Sequence, residues 1–202
     1  MFSRTDERIV KCHWLVPIDT EIHSIVFKQD MKTGYSDLKV DNKCMYRNAR
    51  KLSSCEIFTI GQTTLKILYD QRVKNGAYVL EINGIRFRKF CDAQNRRFDR
   101  WEVREKNETF HVVLDKTKLV LYVNSQKVSS EHKDEGQVTI TFQIQMANGT
   151  TLSCKMHPGL GQNGAGITHT LFVNNDTIPV PLIVDQNTGD FPATDRYGFL
   201  QH

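Results

Sequence analysis

The chain repeats itself, and that repeat limits its folds more than any other feature of the sequence. Trp14-Leu-Val16 returns 87 residues later as Trp101-Glu-Val103. At the same offset Glu21 meets Glu108, His23 meets Phe110, Ile25 meets Val112 and Phe27 meets Leu114. Leu38-Lys-Val40-Asp-Asn-Lys43 is answered by Leu121-Tyr-Val123-Asn-Ser-Gln-Lys127, and Phe58-Thr-Ile60 by Phe142-Gln-Ile144. Thr64-Leu-Lys-Ile67 matches Thr151-Leu-Ser-Cys154, and Tyr78-Val-Leu80-Glu-Ile82-Asn-Gly84 matches His169-Thr-Leu171-Phe-Val173-Asn-Asn175. Order and alternation are both kept, which indicates two copies of one supersecondary unit.

Each copy consists of short segments in which apolar and polar residues alternate with a period of two. Turn signals such as Asn83-Gly84 and Asn148-Gly149 separate them. A period of two places every second side chain on one buried face, the pattern of antiparallel sandwiches and barrels. We therefore expect an all-β protein of two tandem antiparallel β-sandwich domains related by the repeat. The expected division is an N-terminal extension (1–9), a first repeat (10–92), a linker (93–97), a second repeat (98–183) and a C-terminal tail (184–202). Trp14 and Trp101, which open equivalent strands, are the expected core anchors. The stretch from Tyr46 to Leu52 is the one helical candidate.

At 202 residues the chain has room for two domains of this size, and 39% hydrophobic with 9% aromatic residues suits folded cores. The charged start Met-Phe-Ser-Arg-Thr-Asp-Glu-Arg lacks the apolar run of a signal peptide, and no stretch nears the roughly 18 apolar residues of a membrane span. The five cysteines, at 12, 44, 55, 91 and 154, are widely spaced without a C-x-x-C. That pattern suits reduced thiols and a cytoplasmic location. Sequons at Asn107, Asn148 and Asn175 are then chance matches.

One string suggests a nucleotide site. Gly159, Gly161 and Gly164 form a G-x-G-x-x-G within His157–Asn175. The phosphate-binding version of that motif needs a helix directly behind the glycines. Here Ile167-Thr-His-Thr-Leu171-Phe-Val173 follows, which alternates as a strand, so the glycines read as a hairpin loop.

The polar residues sort by the same alternation. Cys154 and His157 have the spacing of zinc ligands. Cys154, however, alternates with Leu152 and Met156, and its match in the first copy is Ile67, so it reads as a core thiol. His23, matched with Phe110, reads as a histidine buried near a sheet end, and His169 pairs with Tyr78 in the same way. No catalytic constellation, cofactor site or metal site stands out in both copies. Between Arg86 and Arg104 seven cations (Arg86, Arg88, Lys89, Arg96, Arg97, Arg100 and Arg104) face three carboxylates, a surplus equal to the chain's net +4. Such a patch can dock an anionic partner. The plainer reading is a solvated linker with basic strand edges that discourage edge-to-edge pairing, with no nucleic acid partner.

The repeat and its strings resemble the Fas apoptotic inhibitory molecule family. The carrying residues are His23-Ser-Ile25-Val-Phe27, Leu38-Lys-Val40-Asp41 and Tyr78–Phe90 in the first copy. In the second they are Trp101–Lys116, Leu121–Val128 and Thr168–Pro179. The sequence departs from the family pattern at Tyr46–Leu52, in the glycine-rich Pro158–Gly166 segment and in the extension from Val184 to His202. The resemblance implies a soluble cytoplasmic protein without enzymatic activity or cofactor. It also implies protection of cells against death-receptor signalling and against stress from aggregating proteins. The corresponding expectation is a monomer or weak dimer that binds signalling proteins or misfolded clients through strand edges or apolar patches. The rival from another class is a small β module holding a lipid or sugar; a hydrolase is the third reading.

Overall fold

The computed structural model describes residues 9–48, 55–71, 77–134, 138–160 and 167–178. Its secondary structure is almost wholly antiparallel β, as the alternation requires. The chain divides between Asp92 and Ala93 into two units. In the first, β1 (Ile9–Ile18), β2 (Glu21–Asp30), β3 (Ser36–Val40) and β4 (Lys43–Asn48) form one four-stranded meander. A second meander comprises β5 (Cys55–Ile60), β6 (Thr63–Asp70), β7 (Ala77–Ile82) and β8 (Ile85–Arg86). One cluster joins Cys12, Trp14 and Val16 of β1, Ile25 and Phe27 of β2, Leu65 and Ile67 of β6 and Leu80 and Ile82 of β7. The two sheets thus share a single core, which is a sandwich.

The second unit repeats the plan. One sheet holds β9 (Phe98–Glu105), β10 (Glu108–Asp115), β11 (Val120–Val123) and β12 (Gln126–Lys127). The other holds β13 (Glu131–Asp134), β14 (Val138–Gln145), β15 (Thr151–Leu160), β16 (Ile167–Val173) and β17 (Asp176–Ile178). Trp101, Val112 and Leu114 of the first sheet meet Ile140, Cys154, Met156 and Leu171 of the second in one core. Trp14 and Trp101 are 0% and 1% exposed.

A single turn device recurs in all four sheets. Asp41-Asn42, Asn83-Gly84, Asn124-Ser125 and Asn174-Asn175 each connect the same two strands of their meander, and all eight residues have positive φ. Two successive left-handed residues make the tight hairpin whose twist matches that of its strands, and Asn, Asp and Gly tolerate it best. The first residue of each turn also reaches past its own hairpin to the next strand. Its backbone N–H donates to Ser24, Thr64, His111 and Ser153 carbonyls, each at 2.8 Å. Its side-chain oxygen accepts the N–H of the same four residues at 2.8–3.1 Å. Three strands are tied at each of these corners.

Three expectations need correction. Residues 93–97, expected as a linker, form the second half of a helix, α1 (Phe87–Arg97). Phe87, Phe90 and Cys91 fall on one helical stripe and are buried in the first core, while Arg96 and Arg97 stand at the C-terminal turn, where cations suit the helix dipole. In the proposed helical stretch, Tyr46, Arg47 and Asn48 instead end strand β4; Ala49 to Leu52 lie outside the described residues. Cys154 does not stand opposite Ile67 in the repeat. Cross-strand partners place Phe58 beside Leu65 and Phe142 beside Cys154, so the counterpart of Cys154 is Leu65. A two-residue slip leaves every side chain on its own face, which is why alternation alone cannot detect it. Ile167-Thr-His-Thr-Leu171-Phe-Val173 is a strand as expected, with His169, Leu171 and Val173 buried and Ile167, at its start, 61% exposed. Gly159 lies in β15, whereas Gly161, Gly164 and the 184–202 tail are outside the described residues.

Candidate functional site

The seven cations between Arg86 and Arg104 do not act as one patch. Arg86 pairs with Asp70 at 2.6 Å and Glu81 at 3.5 Å. Arg97 donates two hydrogen bonds to Asp115, at 2.7 and 3.2 Å, and lies over the Phe98 ring. Arg104 pairs with Glu102. Arg100 is 2% exposed on β9, against Phe98 and 3.5 Å from the side-chain oxygen Oε1 of Gln94. Arg88, Lys89 and Arg96 occupy exposed positions of α1.

The Arg97–Asp115 pair has its own electrostatic logic. Burial opposes ionisation of Asp115, but hydrogen bonds from Arg97 and from the hydroxyl and N–H of Thr117 outweigh it. The carboxyl is held at about 2, and the bond to Asp115 raises the Arg97 guanidinium.

Cys154 and His157 do not converge on a common site. Cys154 is fully buried, and burial pushes its thiol up to about 12. His157, one position out of phase with the core, bonds Thr139 at 3.2 Å and meets the Phe172 ring edge-on. His23 is partly covered, and its Nδ1 lies 2.8 Å from the Asp41 carboxylate. Burial works against the Asp41 anion, but the His23 and Ser24 bonds prevail and lower its pKa.

The structure also assembles a cluster that the linear reading missed. Asp99 on β9 accepts Lys116 Nζ at 2.9 Å on one oxygen and faces His169 Nδ1 at 3.0 Å on the other. Lys116 donates as well to the Asn95 carbonyl at 3.3 Å. The side chains of Asp99, Lys116 and His169 are only 5%, 12% and 6% exposed. Each charge is therefore compensated locally, as burial demands. In the repeat register these three positions correspond to Cys12, Gln29 and Tyr78. Those too are buried, and the Tyr78 hydroxyl donates to Gln29 Oε1. Burial, with Tyr69 and Cys12 nearby, pushes the Tyr78 hydroxyl up to about 12. The signal available in the sequence was polar residues at core-phase positions of both copies: Asp99 in phase with Trp101 and Val103, Lys116 with Leu114.

Known proteins now supply the context. A family model described as Fas apoptotic inhibitory molecule (FAIM1) matches residues 10–181, which takes in both units. Fas apoptotic inhibitory molecule 1 of Bos taurus is 29% identical over 174 residues, covering 82% of this chain and 84% of the bovine protein. The Homo sapiens and Mus musculus proteins of that name are each 28% identical, covering 82% of this chain and 94% of theirs. With the family model spanning both sandwiches, this chain belongs to the Fas apoptotic inhibitory molecule family.

Proposed function

We propose that this protein inhibits apoptosis of the death-receptor type, and that it does so without catalysis, in the cytoplasm, by binding partner proteins. The observation that carries the reading is the family match over both sandwiches, together with the name its mammalian relatives bear. The fold is compatible with it: two β units whose outer strands offer backbone groups to another chain. The same property supports a second activity, the capping of misfolded clients through the segments by which they would aggregate.

The decisive experiment expresses the protein in cells stimulated through a death receptor and follows caspase activation. Reduced activation relative to an empty vector is expected; equal activation overturns the reading. Client protection is tested by light scattering of a heat-stressed protein. Suppression should rise with the molar ratio of this protein to client and be indifferent to ATP, since a binder without catalysis works by mass action. Absence of suppression at equimolar ratio for several unrelated clients removes that second activity and leaves the first.

A further inference from the structure

Among the described residues, strand β14 is covered along only half of its outer edge. Strand β13 pairs with it from Asp134↔Val138 to Glu131↔Thr141 and stops there, while β14 continues to Gln145. Continued in register, β13 would place Ser129 beside Gln143 and Lys127 beside Gln145. The chain takes another course. Val128 N–H donates to Leu121 O at 3.0 Å, Lys127 pairs with Tyr122, and the Val128 side chain joins the core. These contacts hold the segment against the opposite sheet.

The backbone groups left over can be identified. Met146 N–H donates to Thr150 O at 2.8 Å, closing the β14–β15 hairpin. Along an antiparallel ladder successive residues bond to alternate sides. Ile144 and Phe142 therefore bond toward β15, and the N–H and C=O of Gln143 and Gln145 point outward. On that outer side no strand among the described residues pairs with those two positions. Beside them lies a groove of about 790 Å³, lined by Val128, Ser129, Gln143, Gln145, Thr151 and Ser153 among others. Its lining carries one carboxylate, Glu131, and no cation.

We propose that this open edge takes an extended segment of a partner protein as an added strand, lying where a longer β13 would run. The inference rests on the partner-binding reading above and gives it a location. A main chain is the occupant that fits. Two residues spaced along a strand present donors and acceptors about 7 Å apart, and a second strand matches that repeat. The lining selects the side chains. Serine, threonine and glutamine accept polar uncharged residues, and Glu131 at one end favours a Lys or Arg.

The test uses the full chain and a phage-displayed random dodecamer library. An enriched peptide is synthesised with a fluorescent label and titrated by anisotropy against wild type, Gln143→Pro and Ser153→Arg. The proline removes one outward N–H without touching the bonds to β15; the arginine fills the groove from an exposed position. Melting temperatures identify which variants remain folded, and if Gln143→Pro does not fold, Ser153→Arg decides. The expected result is enrichment of sequences containing Lys or Arg and at least tenfold weaker binding to the folded variants. Hydrogen exchange at the Gln143 and Gln145 amides should slow at least tenfold with peptide bound. No enriched sequence, or equal binding to folded variants, overturns the proposal. The functional reading is tested separately in death-receptor-stimulated cells. Failure of wild type to protect sinks that reading, whereas equal protection by wild type and a folded Gln143→Pro sinks only the groove.

Discussion

The first unit buries Cys12, Gln29 and Tyr78 where the second buries Asp99, Lys116 and His169. The backbone positions correspond, but the chemistry differs. One trio is neutral and holds a hydroxyl-to-amide hydrogen bond; the other is ionic, with both Asp99 oxygens engaged. Isolated ions in a core cost several kcal/mol each, and an ion pair with good geometry recovers much of that. Each sandwich thus fills the three corresponding positions with a set satisfied within itself. The difference shows that corresponding backbone positions can hold different chemistry when the polar groups at them find partners within the set.

The comparison can be attacked first where the units agree. Trp14→Ala and Trp101→Ala should each cost about 3–5 kcal/mol, by similar amounts, because both indoles fill the same place in their cores. The chain holds only two tryptophans, so Trp14→Phe or Trp101→Phe leaves one fluorescent reporter for the other unit during urea unfolding. A cost below about 1 kcal/mol at either site would deny that Trp its anchoring role.

The next test breaks the ionic trio. Asp99→Cys alone leaves Lys116 and His169 buried beside a thiol and should cost about 3 kcal/mol, read from Trp101 fluorescence. Adding Lys116→Gln and His169→Tyr transplants the neutral trio and should recover most of that loss. If the triple variant is no better than the single, the two sites are not interchangeable. On the other side, Tyr78→Phe removes the donor to Gln29 and should cost about 1–2 kcal/mol.

The units should also part company in acid. Asp115 is held at about 2, below its ordinary 3.8, so its contribution is complete above the ordinary value and disappears as pH falls through the folded one. Arg97 is partly solvated, which reduces the contribution to roughly 1–2 kcal/mol, lost between about pH 4 and pH 2. The first unit has Lys28 at the matching position. Acid titration of wild type against Asp115→Asn, followed by Trp101, should show a pH-dependent step in the former alone. The smallest effect belongs to Asp41→Asn. The turn and its bond to Ser24 survive, and only the exposed pairing with His23 is altered, so a loss under about 1 kcal/mol is expected.

Legibility followed range along the chain. The corner at Asn83-Gly84 was visible because it must satisfy local backbone geometry that few residues allow, whereas the corners at Asp41, Asn124 and Asn174 emerged only with the structure. The burial of Trp14 and Cys154 was visible because a period of two assigns faces without reference to distant strands. Helix α1 was obscured by its cations, and its apolar stripe of Phe87, Phe90 and Cys91 was the available sign. The two-residue slip opposite Leu65 was not visible, since period-two patterns are unchanged by it.

What the amino-acid sequence by itself determined is the repeated frame: two copies of alternating strands, their buried faces and their tight turns, all set by steric and hydrophobic rules that act over a few residues. Only the tertiary structure decided which polar groups meet. His169 reaches Asp99 across 70 residues of chain, and the contact of Val128 with Leu121 turns the chain away so that β13 pairs with β14 no further than Thr141. Those outcomes depend on how sheets stack and where a connection crosses between them, and the local pattern of a strand carries no record of either.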